Sequence, residues 1–508
     1  MIDPLLNLQP DDEHNRLLVE NVHPSEWQNP TPDGRYNLAV LGAGTAGLVA
    51  AAGAAGMGAK VALIERQLMG GDCLNVGCVP SKAMIRSAHA AHDVRTVDRF
   101  GIRVSGTVEV DFEAVMERMR SIRTGISPND SAKRFSEHYG IDVYFGSARF
   151  TGRDTVDVNG TSLRFAKAVV ATGARAVVPQ IPGLEEAGFL TNHNVFNLTL
   201  QPRRLAVVGG GPIGSELAQT FARLGTEVTI IEMADRFLQR EDRDAAEILK
   251  ISLERDGVAV LLSTSLEKVE TSPDGKVLFL DTPKGARQVS VDQILVGVGR
   301  TPNVEGLDLE IAGVEYDRSG VLVNDFLQTT NKRIYASGDI CLPFKFTHTA
   351  DATSRAVIQN ALFPGPKKRI SRLAVPWCTY TDPEIAHVGL YPHQAEQRDI
   401  AIDTWEVPMG DVDRAIAEGD EEGFLKVHCK QGTDTILGAT IVARHAGEMI
   451  SEITTAMVAG MGLGEFSGVI HPYPTQAEVI RKAADAYNRT KLTPTVFGIL
   501  KRWFRWTR

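Results

Sequence analysis

The chain has 508 residues, of which 43% are hydrophobic and 23% are charged, and its formal net charge is -9 at pH 7. This length predicts roughly three or four domains, because a single hydrophobic core stops growing beyond about 300 residues. The acidic balance argues against a general nucleic-acid binder. We expect neither a signal peptide nor a transmembrane helix, because the N-terminus carries acids and the sequence has no run of about 18 apolar residues. We therefore expect a cytoplasmic protein, in which a disulfide is usually catalytic.

The N-terminal segment, residues 1–35, is polar and interrupted by prolines, and it is interpreted as an arm without a clear hydrophobic period. At Tyr36 the pattern changes to a short apolar strand, a glycine-rich turn, an alanine-rich helix and a second strand that ends in Glu65. That order predicts a dinucleotide-binding fold, in which the acid accepts hydrogen bonds from the adenosine ribose. The glycines that make the turn, admit the pyrophosphate and allow close helix–strand packing are, in that order, Gly42, Gly44 and Gly47.

A cysteine pair follows the first fold, within the sequence GGDCLNVGCVPSK of residues 70–82. On a regular helix Cys73 and Cys78 would have Cα atoms beyond the roughly 7 Å limit for a disulfide. Bonding them requires a distorted first turn, which Gly71 and Gly77 permit, and a helix N-terminus there would stabilise a thiolate. The pair is therefore a candidate for a redox-active disulfide. The alternative interpretation is that both are buried structural cysteines.

The dinucleotide pattern recurs from a strand at residues 205–208 to a strand that ends in Glu232. The three glycines of its turn are Gly209, Gly211 and Gly214. Two complete copies imply two dinucleotides, and a decayed structural copy is the disfavoured alternative. Because the first fold leads directly into the cysteines, its ligand is predicted to be a flavin, which nicotinamide on the second fold reduces by hydride transfer. Glu232 suits the ribose 2′-OH of NADH, so NADH is favoured, while the nearby Arg236 leaves NADPH open.

Three further strands run into glycine-containing exits near which a cofactor could rest, although an ordinary tight turn is the alternative for each. These exits contain Gly173, Gly299 and Asp339, and Asp339 is predicted to form a hydrogen bond with the ribityl chain of the flavin.

The final segment, residues 491–508, has five basic residues, no acids and an apolar helical stripe. Such a tail could lie on a membrane surface or pack within a dimer, and packing is favoured because amphipathic helices usually bury their stripe against protein.

Together, the order of these motifs resembles the pyridine nucleotide–disulfide oxidoreductases over about residues 36–490. That family includes glutathione reductase, dihydrolipoamide dehydrogenase and mercuric reductase. The resemblance implies an α/β fold with two Rossmann-like dinucleotide-binding domains and an α+β C-terminal dimerisation domain, and therefore a homodimer. The implied divisions are an arm (1–35), an FAD-binding domain in two parts (36–175 and 297–368), an inserted NAD(P)-binding domain (176–296), a dimerisation domain (369–490) and a basic amphipathic tail (491–508).

The resemblance also implies roles for single residues. Lys82 and Glu216 would form an ion pair beside the flavin. Cys78 would be the thiolate nearer the flavin, and Cys73 would be the interchange thiol that faces the substrate. Further residues implied to line the cofactors are Gly146 and Thr172 for FAD and Gly299 for NAD.

The late segment HPYPTQAE, residues 471–478, bears on the choice among family members. Reductases of organic disulfides place a proton-shuttling histidine where this chain has Tyr473, and a phenol with a pKa near 10 is a poor base at pH 7. Mercuric reductases resemble the chain here, so Tyr473 and Glu478 would shape the substrate side from the partner subunit. Thiolates are soft ligands, and Cys73 and Cys78 could therefore hold a thiophilic substrate ion such as Hg(II).

Three features depart from mercuric reductases. The sequence ends in Trp-Thr-Arg rather than a vicinal cysteine pair, it lacks the small metal-binding domain often fused at their N-terminus, and Asp72 replaces the usual threonine. We expect the Asp72 carboxylate to raise the pKa of the neighbouring thiol.

Two alternatives to a mercuric-reductase-like enzyme remain. One is a dihydrolipoamide-dehydrogenase-like enzyme with His471 as a displaced base, and the other is an FAD-bound redox sensor or metal-binding protein with little turnover. The remaining cysteines could form a relay, but buried structural thiols are favoured: Cys341, Cys378 and Cys429.

Overall fold

The computed structural model describes residues 8–508, which fall into two units. The first contains the residues up to Asp235 together with Gly257–Arg372, and the second contains Arg236–Asp256 and Leu373–Arg508. Within the described residues, no helix combines the length and apolar character needed to cross a membrane.

The α-helices of the described chain are α1 (Glu13–Val22), α2 (Thr45–Gly56), α3 (Gly71–Val76), α4 (Cys78–Arg95), α5 (Phe112–Ile126), α6 (Leu184–Ala187), α7 (Pro212–Leu224), α8 (Arg243–Arg255), α9 (Thr347–Leu362), α10 (Pro392–Glu396), α11 (Asp413–Glu418), α12 (Ala446–Ala459), α13 (Glu478–Thr490) and α14 (Pro494–Trp506). Its β-strands are β1 (Arg35–Leu41), β2 (Val61–Glu65), β3 (Asp142–Phe145), β4 (Ala148–Gly152), β5 (Thr155–Val158), β6 (Thr161–Val170), β7 (Ala174–Ala176), β8 (Arg204–Val208), β9 (Glu227–Ile231), β10 (Ala259–Leu261), β11 (Ser265–Ser272), β12 (Gly275–Thr282), β13 (Gly285–Val291), β14 (Gln293–Val296), β15 (Arg300–Pro302), β16 (Tyr316–Asp317), β17 (Gly320–Val321), β18 (Ile334–Ala336), β19 (Pro376–Thr379), β20 (Glu384–Gly389), β21 (Ile402–Pro408), β22 (Phe424–Lys430) and β23 (Ile436–Ala443).

The larger sheet of the first unit has the order β3-β2-β1-β6, and β18 pairs with β6, so that five parallel strands lie side by side. β5 and β4 extend it in antiparallel fashion. Alternation along β1 sends Leu38 and Val40 to one buried face and Ala39 and Leu41 to the other. A strand that is buried on both faces has a continuous run of apolar residues, and this run is the signal from which β1 is predicted.

A second parallel sheet, β10-β9-β8-β14, carries α7 against β8 and β9. An antiparallel meander of β11, β12 and β13 lies in the same unit. Each parallel sheet has a glycine-rich turn between its first strand and its first helix. The predicted α/β class with two Rossmann-like folds is therefore confirmed.

The second unit is built on the antiparallel sheet β19-β20-β23-β22-β21. Helix α12 packs on β20 and β23, and α13 packs on β21 and β22, around a core of aliphatic side chains. This is the predicted α+β arrangement of the C-terminal domain. Helix α8 also belongs to this unit, and the domain boundaries derived from the sequence stay predictions.

The N-terminal arm contains helix α1, which the sequence analysis did not predict; residues 1–7 lie outside the described part of the chain. Asp12 caps the helix, because its Oδ1 accepts a hydrogen bond from Asn15 N at 2.8 Å. Leu18 and Val22 lie four residues apart on one face and are fully buried in the core of the first unit. The cap and this spacing are the local signals from which the helix could have been predicted.

Candidate active site

The carboxyl ends of the parallel strands in the larger sheet gather the residues predicted to hold a flavin. Strands β1, β2, β3, β6 and β18 are parallel neighbours, so the segments that follow them meet along one edge. The predicted FAD-binding residues at this edge are Gly42, Glu65, Gly146, Thr172, Gly173 and Asp339. The second sheet gathers the predicted nicotinamide residues in the same way, namely Gly209, Gly211, Glu232 and Gly299.

Both glycine-rich turns leave space for a ligand at a helix N-terminus. Gly44 and Gly211 are the N-caps of α2 and α7, and neither helix receives a side-chain cap from the described residues. A Cβ on Gly211 would meet no heavy atom within 4 Å. On Gly47 and Gly214, by contrast, a Cβ would lie 1.7 Å and 2.1 Å from the carbonyl oxygen of the first glycine in the same turn. A helix N-terminus without a side-chain cap, with the helix packed closely behind it, fits a pyrophosphate in each fold.

The two acids that end the second strand of each fold make equivalent hydrogen bonds. Glu65 Oε2 accepts from Ala43 N at 2.6 Å, and Glu232 Oε2 accepts from Gly210 N at 2.7 Å. The other oxygen of each accepts from the amide two residues further on, at 2.8 and 2.9 Å. Each carboxylate therefore holds the glycine-rich turn, and since a carboxylate oxygen has more than one acceptor site, a ribose contact remains compatible.

Cys73 lies in α3, and Cys78 is the first residue of α4. The two helices are separated at Gly77, where a Cβ would lie 2.7 Å from the carbonyl oxygen of Asp72. Both cysteines are free thiols, and their sulfurs are hydrogen-bonded to each other. The interruption of the helix is the distorted turn that the spacing required, and it places Cys78 at a helix N-terminus.

The surroundings of Cys78 favour its thiolate. The hydrogen bond from Cys73 is the main cause that lowers the pKa of Cys78 to about 6. Burial opposes the shift, while the Thr347 hydroxyl, 3.4 Å from the sulfur, and the charge of Lys82 support it. The same sulfur–sulfur hydrogen bond, together with burial, raises the pKa of Cys73. The pair therefore consists of a stabilised thiolate and a protonated thiol that donates to it.

An ion pair between Lys82 and Glu216 joins α4 to α7, with 2.7 Å between Nζ and Oε2. The Glu216 side chain is nearly buried, and that of Lys82 is partly exposed. This is the pair that the family resemblance implied. Its position one turn from Cys78 explains why the lysine charge acts on that sulfur.

Asp72 forms an ion pair with Arg300, whose Nε also lies 3.5 Å from Asp339 Oδ2. Burial acts to lower the pKa of Arg300, but the charges of Asp72 and Asp339 raise it overall. The guanidinium therefore stays charged and neutralises the carboxylate beside the first cysteine. The pKa of the neighbouring thiol, Cys73, is raised as expected, but the main causes are its hydrogen bond to Cys78 and burial.

Three residues of the late segment belong to the second unit: His471, Tyr473 and Glu478. Tyr473 is 72% exposed, and its hydroxyl donates to Asp413 Oδ2 at 2.8 Å, which raises the pKa of the phenol. His471 Nε2 lies 2.9 Å from Glu452 Oε1, whereas Glu478 is buried at the start of α13. The phenol is thus even less ionised near neutral pH than the sequence indicated, and it is less able to exchange a proton there.

Two of the three remaining cysteines are poor thiolates. Burial raises the pKa of Cys341, and it raises that of Cys429 to about 12. Cys429 is buried in the second unit, and Cys341 is partly buried in the first. These properties favour the structural interpretation over a relay. Within residues 8–508, no cluster of three or more His, Cys, Asp or Glu side chains could hold a metal ion.

Comparison with known families agrees with this site. The family described as "Pyridine nucleotide-disulphide oxidoreductase" matches residues 36–361, and the dimerisation domain of the same family matches residues 375–484. The chain belongs to the pyridine nucleotide–disulphide oxidoreductases. Members of this family bind FAD and NAD(P)H, so both cofactor predictions are confirmed, and the dimerisation domain supports a homodimer.

Its relatives in this family carry different names. Mercuric reductase from Staphylococcus aureus is 35% identical over 460 residues, which cover 90% of this chain and 83% of that protein. Dihydrolipoyl dehydrogenase from Thermus scotoductus is 33% identical over 469 residues, covering 89% and 98%. Among solved structures, the HOCl-induced flavoprotein disulfide reductase RclA from Escherichia coli matches with a TM-score of 0.78 and 29% identity, covering 88% of this chain and 99% of that one. The family and the mercuric-reductase-like character are thus confirmed, whereas the substrate is a matter for proposal.

Sequence reasoning missed two contributors to the site. Thr347 begins α9 and contacts Cys78 across 269 residues of sequence. Arg300 follows a glycine that was predicted to line a cofactor, and this adjacency is the signal that could have identified it. For Thr347 the sequence offers no comparable signal.

Proposed function

We propose that this chain is an NAD(P)H-driven flavoenzyme of the mercuric reductase type, whose Cys73–Cys78 pair delivers electrons to Hg(II) or another thiophilic acceptor. The observation that carries the proposal is the placement of the pair: Cys78 begins α4, one turn before Lys82, and its sulfur lies 3.4 Å from the Thr347 hydroxyl. These surroundings and the hydrogen bond from Cys73 favour a thiolate at Cys78. Two sulfurs in one site are suitable ligands for a soft cation. When bound, FAD supplies the electrons that reduce the disulfide, having taken them from the nicotinamide.

Separate groups of residues would bind the two cofactors and provide the thiolate. The first glycine-rich turn and Asp339 would hold FAD, and the second turn would hold the nicotinamide, with Glu232 favouring NADH over NADPH. The ion pair of Lys82 and Glu216 would lie beside the flavin. Cys78 would be the thiolate nearer the flavin, because its position at the start of α4 and its low pKa suit a stable anion.

Cys73 would then be the thiol that meets the substrate. The Cys73 thiol releases its proton to solvent when it binds the ion, and the reduction of Hg(II) to the metal then consumes two electrons and no proton. The substrate side therefore needs no group that protonates a leaving thiolate. Tyr473 and Glu478 would shape that side from the partner subunit, as the family resemblance implies. The hydrogen bond from Tyr473 to Asp413 supports this assignment, since it disfavours proton transfer by the phenol.

A second candidate is a dihydrolipoamide-dehydrogenase-like enzyme in which His471 acts as a displaced base. The observation in its favour is the contact between His471 and Glu452, because a carboxylate partner orients an imidazole for proton transfer. This candidate requires turnover of a small dithiol or disulfide that is lost in His471→Ala. A redox sensor, the third candidate, would be reduced by NADH but would turn over little with any acceptor.

The test is steady-state oxidation of NADH and of NADPH with Hg(II), lipoamide, glutathione disulfide and quinones, compared side by side with excess thiol to buffer the metal. We expect Hg(II)-dependent turnover that Cys73→Ser and Cys78→Ser abolish, and that His471→Ala retains. Cys378→Ser, in the second unit, is the matched control and should keep full activity. No Hg(II)-dependent turnover would end the lead proposal, and lipoamide turnover sensitive to His471 would establish the second candidate.

A further inference from the structure

The C-terminal helix α14 has a sharply divided surface. Thr493 caps it, since its hydroxyl accepts a hydrogen bond from Val496 N at 3.3 Å. At about 100° per residue, all the large apolar side chains fall on one half of the helix circumference, and the lysine and arginines of the helix fall on the other. The apolar half consists of Val496, Phe497, Ile499, Leu500, Trp503, Phe504 and Trp506. The cationic half contains Lys501, Arg502 and Arg505.

No residue of α14 is buried against the described part of this chain. Phe497, Ile499, Trp503 and Phe504 are between 54% and 61% exposed, and Trp506 is 79% exposed. The preceding helix, α13, buries five of its residues in the second unit. Single exposed apolar side chains are ordinary on protein surfaces, but a continuous aromatic and aliphatic face over more than three turns indicates a binding surface.

The charge of this segment identifies what covers the face. Residues 491–508 contain five basic residues and no acidic ones, whereas the whole chain has a net charge of -9. The tail therefore differs in sign from the rest of the molecule and complements an anionic surface. Packing against protein does not require that acids be absent. Binding to a layer of anionic headgroups favours that absence, because each carboxylate would be repelled.

We propose that α14 binds the surface of a membrane that contains anionic lipids. The helix would lie in the plane of the interface, with its apolar half at the acyl boundary and its cations among the headgroups. Four of its seven apolar residues are Phe or Trp, and Trp in particular is enriched at the interfacial depth. A second copy of this chain is the competing occupant that the sequence alone favoured. This inference is independent of the substrate proposed above.

The proposal is tested with the full-length holoenzyme and lipid vesicles in a sedimentation assay. We expect binding to vesicles that contain phosphatidylglycerol, weak binding to phosphatidylcholine alone, and release by salt. Each basic residue contributes roughly a fivefold factor at an anionic surface, so Lys501→Gln, Arg502→Gln and Arg505→Gln together should weaken binding about a hundredfold. Lys284→Gln, at an exposed lysine outside the tail, is the matched control and should bind normally.

A double variant, Trp503→Ser with Phe504→Ser, separates the lipid surface from a protein partner. We expect it to lose vesicle binding while light scattering still gives the same oligomeric state and the melting temperature is unchanged. If this variant instead dissociates the oligomer, α14 packs on a second copy and the proposal is wrong. Absence of vesicle binding, or equal binding to neutral and anionic vesicles, also overturns it.

Discussion

The low pKa of Cys78 predicts how the reduced protein reacts with iodoacetamide as pH varies. A thiol with a pKa of about 6 is roughly 90% thiolate at pH 7, whereas one at the ordinary value of 9.0 is roughly 1% thiolate. Because the thiolate is the nucleophile, alkylation of Cys78 should be nearly constant above about pH 7. Below about pH 6 it should fall roughly tenfold per pH unit, since acid protonates the sulfur.

Thr347→Val is the perturbation that tests the origin of this shift. The substitution removes the hydroxyl that lies 3.4 Å from the Cys78 sulfur while nearly preserving side-chain volume. A hydrogen bond to a charged group contributes about 1.5 kcal/mol at the low end, and one pKa unit corresponds to about 1.4 kcal/mol. The pKa of Cys78 should therefore rise by about one unit. Thr347→Ser retains a hydroxyl and should retain the wild-type profile.

The assay is mass spectrometry of the peptides that contain Cys73 and Cys78 after timed alkylation, which assigns each rate to one sulfur. Cys78 should react first at pH 6 to 7 in the wild-type protein. If Cys73 shows the lower midpoint, the assignment of thiolate and donor is reversed. A midpoint near 9 for both sulfurs would refute the reasoning altogether, because the hydrogen bonds and the lysine charge would then have no effect.

Three further predictions concern other parts of the site. Arg300→Gln removes the cation that neutralises the Asp72 carboxylate beside the cysteine pair, so the pKa of Cys78 should rise, and an unchanged alkylation profile would contradict this. Gly47→Ala places a Cβ 1.7 Å from a backbone oxygen and should cost at least about 1–3 kcal/mol of stability and lower the FAD content, while Gly56→Ala, at an unobstructed position of the same helix, should do neither. Glu232→Ala should raise the KM for NADH and lower the ratio of kcat/KM for NADH to that for NADPH in steady-state assays. An unchanged ratio would show that Glu232 does not select between the two nucleotides.

The parts of this structure that the sequence predicts are those whose determinants lie close together in the chain. Each dinucleotide fold has its strand, turn, helix and acid within about 30 residues. Glycine occupies the tight positions of the turn because a Cβ would clash there. Thr347 and Arg300 lie 269 and 228 residues from their partners at the cysteine site. No periodicity encodes such contacts, because they depend on which strands the topology makes neighbours. The pairing of Asp72 with Arg300 could not be predicted for the same reason, since the two residues lie far apart in the sequence.

The chemistry of the cysteine pair is common to both candidate substrates, so the choice between them depends on the late segment. An organic disulfide leaves as a thiolate that must take up a proton, and that step requires a group that titrates near neutral pH. Tyr473 does not meet this requirement, because the carboxylate of Asp413 raises its pKa further from neutrality. A soft cation held by two sulfurs needs no proton and tolerates a phenol at this position. His471, which contacts Glu452, is the residue through which the late segment could still serve an organic substrate.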